Sequence, residues 1–297
     1  CVEKDRLAAS IKEEKAAATS ANRSCRAALA AQTLRVHEQG GYWLAGQPVN
    51  IVPTLQHAID RTLLYPAHAT IAATRADPSQ GLACETLIEV TEETTIEAGS
   101  RLHAELGAKA GGSLCLLNFA SAKNPGGGFL NGSLAQEESL ALASGLYACL
   151  AQHMDDFYEP HRIDPTGGLY SHAVLYSPRV PFFRNDNGDF SALWCAGVVT
   201  APAPNAGVAL RKFPEAKRID VLTERCGHIL AVAQEQGHTD LILGAFGCGV
   251  FRNNPKHVAS AFDYWLRGSG KFAHAFHKVV FAIPFDERNY PVFAEHF

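Results

Sequence analysis

From residue 85 onward, short apolar runs alternate with stretches in which apolar residues recur every three or four positions. The runs Glu85–Val90, Ser113–Phe119, Leu193–Thr200, Leu241–Phe246 and Lys278–Pro284 predict strands, and His172–Pro178 reads as one more. Helical spacing predicts helices over Thr95–Leu106, Ser133–Gln152 and Pro255–Leu266, and over a long segment opened by Phe213-Pro214 that runs to Gln236. Val180–Asp189 has the form of a hairpin turning at Asn185-Asp186-Asn187-Gly188. Upstream, Cys1–Gln39 is rich in Ala, Lys, Glu and Arg and reads as amphipathic helix ended by Gly40-Gly41. Tyr42–Asn50 and Ile51–Pro53 look like short strands, and Leu55–Tyr65 like a helix fragment. Strands alternating with helices predict an α/β layered domain with a mixed, largely parallel sheet between helices. We expect residues 1–75 to be an N-terminal accessory extension packed on a core of residues 76–297. Ligands of such sheets sit beyond the strand C-termini, where the glycine-rich stretches of this chain fall.

Composition narrows the classes without choosing among them. The 297 residues can bury a sizeable core, and 47% hydrophobic with 19% charged residues is a soluble globular balance. A formal net charge of -4 supplies no global basic field for nucleic acid. No apolar run reaches the length of a membrane span, so a cytoplasmic protein is expected. The eight cysteines are scattered with no CxxC pair, and the histidines form no HExxH, so no disulfide framework and no catalytic metal are expected.

The informative stretch is Asn118 to Phe129, with Asn124-Pro125-Gly126-Gly127-Gly128, followed seven residues later by Gln136-Glu137-Glu138. Glycines here serve backbone geometry or close approach, and their amides can point at an anion. Two carboxylates beside an anion-binding loop conflict with it electrostatically unless one of them does chemistry. Adjacent helical residues diverge by about 100°, so Glu137 and Glu138 cannot face each other across a bond as a glycosidase pair does. At most one reaches the reacting atom. A bland account also exists: glutamates suit a helix first turn, and Ser133 with Gln136 reads as a capping box. The second loop, Gly244-Ala-Phe246-Gly247-Cys248-Gly249-Val250-Phe251, again lies between strand and helix, with flat aromatic faces beside it. Neither loop has the GxxxxGK[ST] form of a nucleoside-triphosphate site. Two phosphate-type loops with aromatic faces suit a diphosphate joined to sugars and a base; two ordinary glycine turns would look the same. Asn118 and Asn124 are placed to bond ligand hydroxyls, with turn capping as the alternative. Cys248 lacks any sign of a partner base and reads as a small residue between glycines.

With those residues in view, the sequence resembles the microbial-type poly(ADP-ribose) glycohydrolase family, whose catalytic domain is a macrodomain. The motif that carries the resemblance is Gly126-Gly127-Gly128, a short spacer and Gln136-Glu137-Glu138; Tyr176–Arg184, Thr200–Asn205 and Gly244–Phe251 also look like family blocks. The resemblance implies a three-layer macrodomain-like fold and exo-acting hydrolysis of poly(ADP-ribose) or of ADP-ribosylated protein, with ADP-ribose as product, no cofactor and a monomeric enzyme. It also implies that Glu138 is the catalytic acid, while Glu137 binds ribose hydroxyls. Asn124 and the three glycines would shape the distal-ribose pocket, and Gln136 would fix that loop. Gly247, Cys248, Gly249 and Val250 would bind the diphosphate through backbone amides, and Phe251 would pack on the terminal ribose. An ADP-ribose reader that does not cleave, and a hydrolase of mono-ADP-ribosylated targets, are the alternatives on the same scaffold.

Overall fold

The computed structural model describes residues 22–68, 85–107, 110–163, 165–284 and 286–297. The helix expected over residues 1–21 and the domain boundary expected at residue 75 lie outside the described residues. In chain order, helix α1 (residues 22–39) leads into the hairpin β1 (Gly41–Leu44) and β2 (Gln47–Asn50), then α2 (Val52–Asp60) and β3 (Leu63–Tyr65). Next come β4 (Leu87–Thr91), α3 (Thr95–Leu106), a short turn α4 (Ala110–Ser113) and β5 (Leu114–Phe119). Helices α5 (Gln136–Ala143) and α6 (Leu146–Ala151) follow, then a π-helical turn (Met154–Tyr158) and α7 (Glu159–Ile163). The long hairpin β6 (Val174–Arg184) and β7 (Phe190–Ala201) precedes α8 (Ala206–Ala209) and α9 (Glu215–Glu235). The chain closes with β8 (Asp240–Leu243), α10 (Pro255–Leu266), β9 (Lys278–Ala282) and α11 (Tyr290–His296).

Seven strands form one mixed sheet in the order β3-β6-β7-β5-β8-β9-β4. The pairs β7–β5, β5–β8, β8–β9 and β9–β4 are parallel, and the two pairs of β6 are antiparallel. Side-chain alternation along the central strands splits the core into two layers. Cys115 and Leu117 of β5 and Leu241 and Leu243 of β8 face α9, α10 and α11. Leu114, Leu116 and Ile242 face α3, α5 and α6. This is the three-layer arrangement expected of a strand that is buried on both faces.

Four local expectations fail for physical reasons. Ile51–Pro53 is not a strand: Asn50 Oδ1 accepts from Val52 N at 2.9 Å, and Pro53 sits in the first turn of α2, where its missing N–H costs nothing. Leu63–Tyr65 leaves the predicted helix to pair with β6, so residues ahead of the core supply its edge strand. Ser133–Gln152 is two helices, because Ser144 is extended (φ -147°, ψ 179°) and bridges Phe182 of β6. The capping box at Ser133 is absent. Helix α5 begins at Gln136 behind Ala135, which offers no capping side chain.

Candidate active site

Strands β5 and β8 are parallel neighbours, so the loops that follow them leave the sheet at the same edge. Between these loops lies a cavity of about 1060 Å³. Gly127, Gly128, Gln136, Glu137 and Glu138 line one side of it, and Gly247, Gly249, Val250 and Phe251 line the other. The sequence places these two groups about a hundred residues apart; the sheet brings them face to face.

The first loop wraps the carboxylates. Gly126 and Gly127 take left-handed conformations (φ 65° and 60°), which glycine adopts without steric cost. The turn so formed brings the Gly128 amide to the start of α5. Gly128 N donates to Glu138 Oε1 at 2.9 Å, and Ser121 N donates to Glu137 Oε2 at 2.6 Å. The acceptors this loop meets are therefore the protein's own glutamates rather than an anion from outside. A side chain at Gly127 would have its Cβ 2.4 Å from Glu138 Oε1 and 3.1 Å from Glu137 Oε2, so the close approach requires glycine.

The two glutamates separate as their helical spacing demands. Glu137 is buried (3% exposed), while Glu138 is half-buried at the cavity wall. Burial pushes the Glu137 carboxyl up to about 8, opposed by the bonds from Ser121 and Asn118 and assisted by the charge of Glu138. Asn118 does not line the cavity. It is fully buried beneath it, where its amide donates to Glu137 Oε1 at 3.3 Å and to Thr200 Oγ1 at 3.2 Å. Gln136 ties α5 to two other elements: Oε1 accepts from Phe119 N at 2.8 Å, and Nε2 donates to Leu117 O at 2.7 Å and Thr95 Oγ1 at 3.2 Å. Gly126 packs against Phe129 and Tyr147 and does not itself line the cavity. Asn124 lines it.

The second loop is built differently. Gly247 has φ 70° and its carbonyl accepts from both Asn253 N and Asn253 Nδ2 at 3.1 Å; Asn253 Nδ2 also reaches Pro204 O at 2.8 Å. Buried Asn253 thus staples the loop to the end of β7. The amides of Gly247, Gly249, Val250 and Phe251 have no acceptor among the described residues, whereas Cys248 N donates to Ala245 O at 3.1 Å. The Cys248 thiol is fully buried in the core, and burial pushes it up to about 12, so it offers no nucleophile. Phe251 stands at the cavity beside Tyr170, with ring centroids 6.0 Å apart.

Several lining residues had no signal in the sequence. Arg162 donates to Lys123 O and Asn124 Oδ1. Asp186, which the hairpin turn alone explains in the sequence, accepts from Thr94 Oγ1 at 2.7 Å, and burial raises its carboxyl. Both link residues far apart in the chain, and local patterns do not reach that far. For metals, His172, Glu224 and His228 bring ligand atoms within 4.8 Å of one another. Arg225 Nε, however, donates to His172 Nδ1 at 3.1 Å, which leaves the His172 proton on Nε2 facing Glu224. Burial and that guanidinium hold His172 down at about 3, so the cluster suits a hydrogen-bonded network better than a cation. It does not line the cavity.

Comparison with known proteins agrees with the geometry. The family model described as "Microbial-type PARG, catalytic domain" (PARG being poly(ADP-ribose) glycohydrolase) matches residues 30–185. The crystal structure of poly(ADP-ribose) glycohydrolase from Thermomonospora curvata is 38% identical and covers 92% of this chain and 100% of its own, with a TM-score of 0.85. Its complex with the inhibitor ADP-HPD is 39% identical over the same shares, with a TM-score of 0.84. The enzyme from Deinococcus radiodurans, in complex with ADP-ribose, is 38% identical, with 82% of this chain and 97% of its own covered and a TM-score of 0.73. No curated protein matches significantly. On the family model and on this identity across almost the whole chain, the protein belongs to the microbial-type poly(ADP-ribose) glycohydrolase family.

Proposed function

We propose that this protein hydrolyses ribose–ribose O-glycosidic bonds of poly(ADP-ribose) from chain ends and releases ADP-ribose, with Glu138 as the acid. One observation carries the reading: a half-buried carboxylate and a row of unengaged amides face each other across one cavity. The volume is at the upper end for a small-molecule site, which is typically about 300–1,000 Å³. In this reading the amides of Gly247, Gly249 and Val250 take the diphosphate, Phe251 packs on the terminal ribose, and Asn124 bonds its hydroxyls. Gly127 and Gly128 form the wall against which that ribose rests.

Glu138, protonated in the bound complex, gives its proton to the 2′-oxygen of the leaving ribose as the glycosidic bond breaks. Positive charge develops on the anomeric carbon and the ring oxygen, near the diphosphate. The Glu138 carboxylate then takes a proton from water as its oxygen attacks the anomeric carbon, which restores the acid. One carboxyl serves in both steps, so no facing partner is needed. Gly128 N, bonded to Oε1, fixes the orientation of that carboxyl. Glu137 is buried below and bonds a ribose hydroxyl from a position set by Asn118 and Ser121.

The test is release of free ADP-ribose from poly(ADP-ribosyl)ated protein by the native chain and by Glu138→Gln. Native release, lost in the variant, supports both the activity and the acid. Tight ADP-ribose binding by both with release by neither assigns the protein to the readers. Equal release by both removes Glu138 from the mechanism, and oligomeric rather than monomeric products remove the chain-end preference.

A further inference from the structure

Helix α7 reaches the first glycine loop directly and the second through Tyr170, by consecutive residues. His161, buried, places its ring 5.9 Å from Tyr170, and Tyr170 lies 6.0 Å from Phe251 of the second loop. Arg162, next in sequence, reaches the first loop. Its Nε donates to Lys123 O at 2.8 Å, its Nη2 donates to Asn124 Oδ1 at 3.1 Å, and its Nη1 pairs with Glu159 on α7 itself. The π-helical turn Met154–Tyr158 comes immediately before, and such turns reset the face a helix presents. Here it leads into a helix whose last turn reaches the first loop.

We propose that Arg162 is a positioning residue that fixes which end of the Asn124 amide faces the substrate. This rests on the reading above, in which Asn124 bonds the distal ribose. An exposed asparagine on a loop is free to present either its carbonyl or its NH₂ group to a ligand. A guanidinium has donors only, so it holds Oδ1 and turns Nδ2–H₂ toward the cavity. The site then offers a donor to a hydroxyl oxygen of the ribose. The bond to Lys123 O holds the backbone beside Asn124, and Glu159 holds the guanidinium plane. Arg162 thereby acts through Asn124 without bonding the sugar. Lysine cannot replace it fully, because a single ammonium lacks the planar fork that meets three acceptors together.

The experiment is a double-mutant cycle on the full chain, with Arg162→Ala, Arg162→Lys, Asn124→Ala and the Arg162→Ala/Asn124→Ala double variant. ADP-ribose binding is read by calorimetry, and KM and kcat are read on poly(ADP-ribose). Arg162→Ala is expected to weaken binding and raise KM about tenfold with kcat within about threefold, the signature of lost ground-state contact. Arg162→Lys should fall between it and the native chain. The double variant should bind no more weakly than the poorer single variant, because both changes remove one interaction. Losses that multiply in the double variant overturn the proposal, as does native-like binding by Arg162→Ala. Failure of the native chain itself to bind ADP-ribose would instead strike the function on which the proposal rests. If Arg162→Ala does not fold, Arg162→Lys and Arg162→Lys/Asn124→Ala complete the cycle with the same criteria.

Discussion

Gly127 and Gly249 both line the cavity, each in a loop that leaves a parallel strand at the same sheet edge. A Cβ at Gly127 would collide with Glu138 and crowd Glu137, whereas a Cβ at Gly249 would meet nothing within 4 Å. The amides around them differ in the same sense. Gly127 and Gly128 both donate within the protein, to Asn124 O and Glu138. Those of Gly247, Gly249, Val250 and Phe251 are unengaged among the described residues. Two glycine-rich turns that look alike in sequence therefore do separate jobs. The first assembles and holds the acidic machinery; the second is shaped to receive an anion from outside.

Four substitutions sharpen or break that contrast. The largest effect belongs to Glu138→Gln, which keeps the bond from Gly128 N but cannot donate an acidic proton. Loss of about 10²–10⁴-fold in ADP-ribose release with binding retained is expected, as for a general acid. Next is Gly127→Ala, which forces a β-carbon against Glu138 at a positive φ. Activity should drop about 10²-fold, and thermal melting should show a destabilisation of roughly 1–3 kcal/mol, the cost of holding such a backbone. Native-like activity there would mean the loop does not fix the carboxylates. Gly249→Ala should show the reverse pattern. Melting stays within about 1 °C, since a stability change of 1 kcal/mol moves Tm by roughly 2–4 °C. ADP-ribose affinity, by contrast, falls about tenfold, because the methyl group enters the space proposed for diphosphate. A variant of Gly249 that melts early but binds normally would place the two loops in one class after all.

The smallest effect is a slope. Glu137 titrates near 8 in the fold against an ordinary value of 4.5, so its raised pKa opposes folding only where the unfolded chain is ionised. Below 4.5 both states are protonated and nothing is lost. Between 4.5 and about 8 the native state binds the extra proton, so stability declines as pH rises; above 8 the loss is constant. Comparing Tm across that window, the native protein should lose more than Glu137→Gln, which cannot ionise. Parallel curves would show that the buried carboxyl is better solvated than its 3% exposure implies.

Much of this was legible in the chain. The helices Thr95–Leu106 and Pro255–Leu266 match their observed bounds, and each carries its own start signal: Thr94 with Glu97 as a capping box, and Asn254 ahead of Pro255. The divergence of Glu137 and Glu138 followed from helix geometry alone. Asn118 was read as a ligand contact, since a strand end beside a glycine loop says nothing about depth; in the fold its amide is spent on Glu137 and Thr200. Arg162 and Asp186 gave no signal, because their partners lie 38 and 92 residues away.

By itself the sequence determined the alternation of strands and helices in the core, the positions of the glycine turns and the pair of glutamates that can present only one carboxylate to a ligand. Each of these is set by interactions among residues close in the chain: apolar periodicity, backbone preference and helical angle. Tertiary structure decided what each loop's amides bind. A backbone N–H takes whichever acceptor packing brings within about 3 Å. For Gly128 of the first loop that acceptor is Glu138 in the first turn of α5, and for Gly247, Gly249, Val250 and Phe251 of the second none among the described residues comes so close.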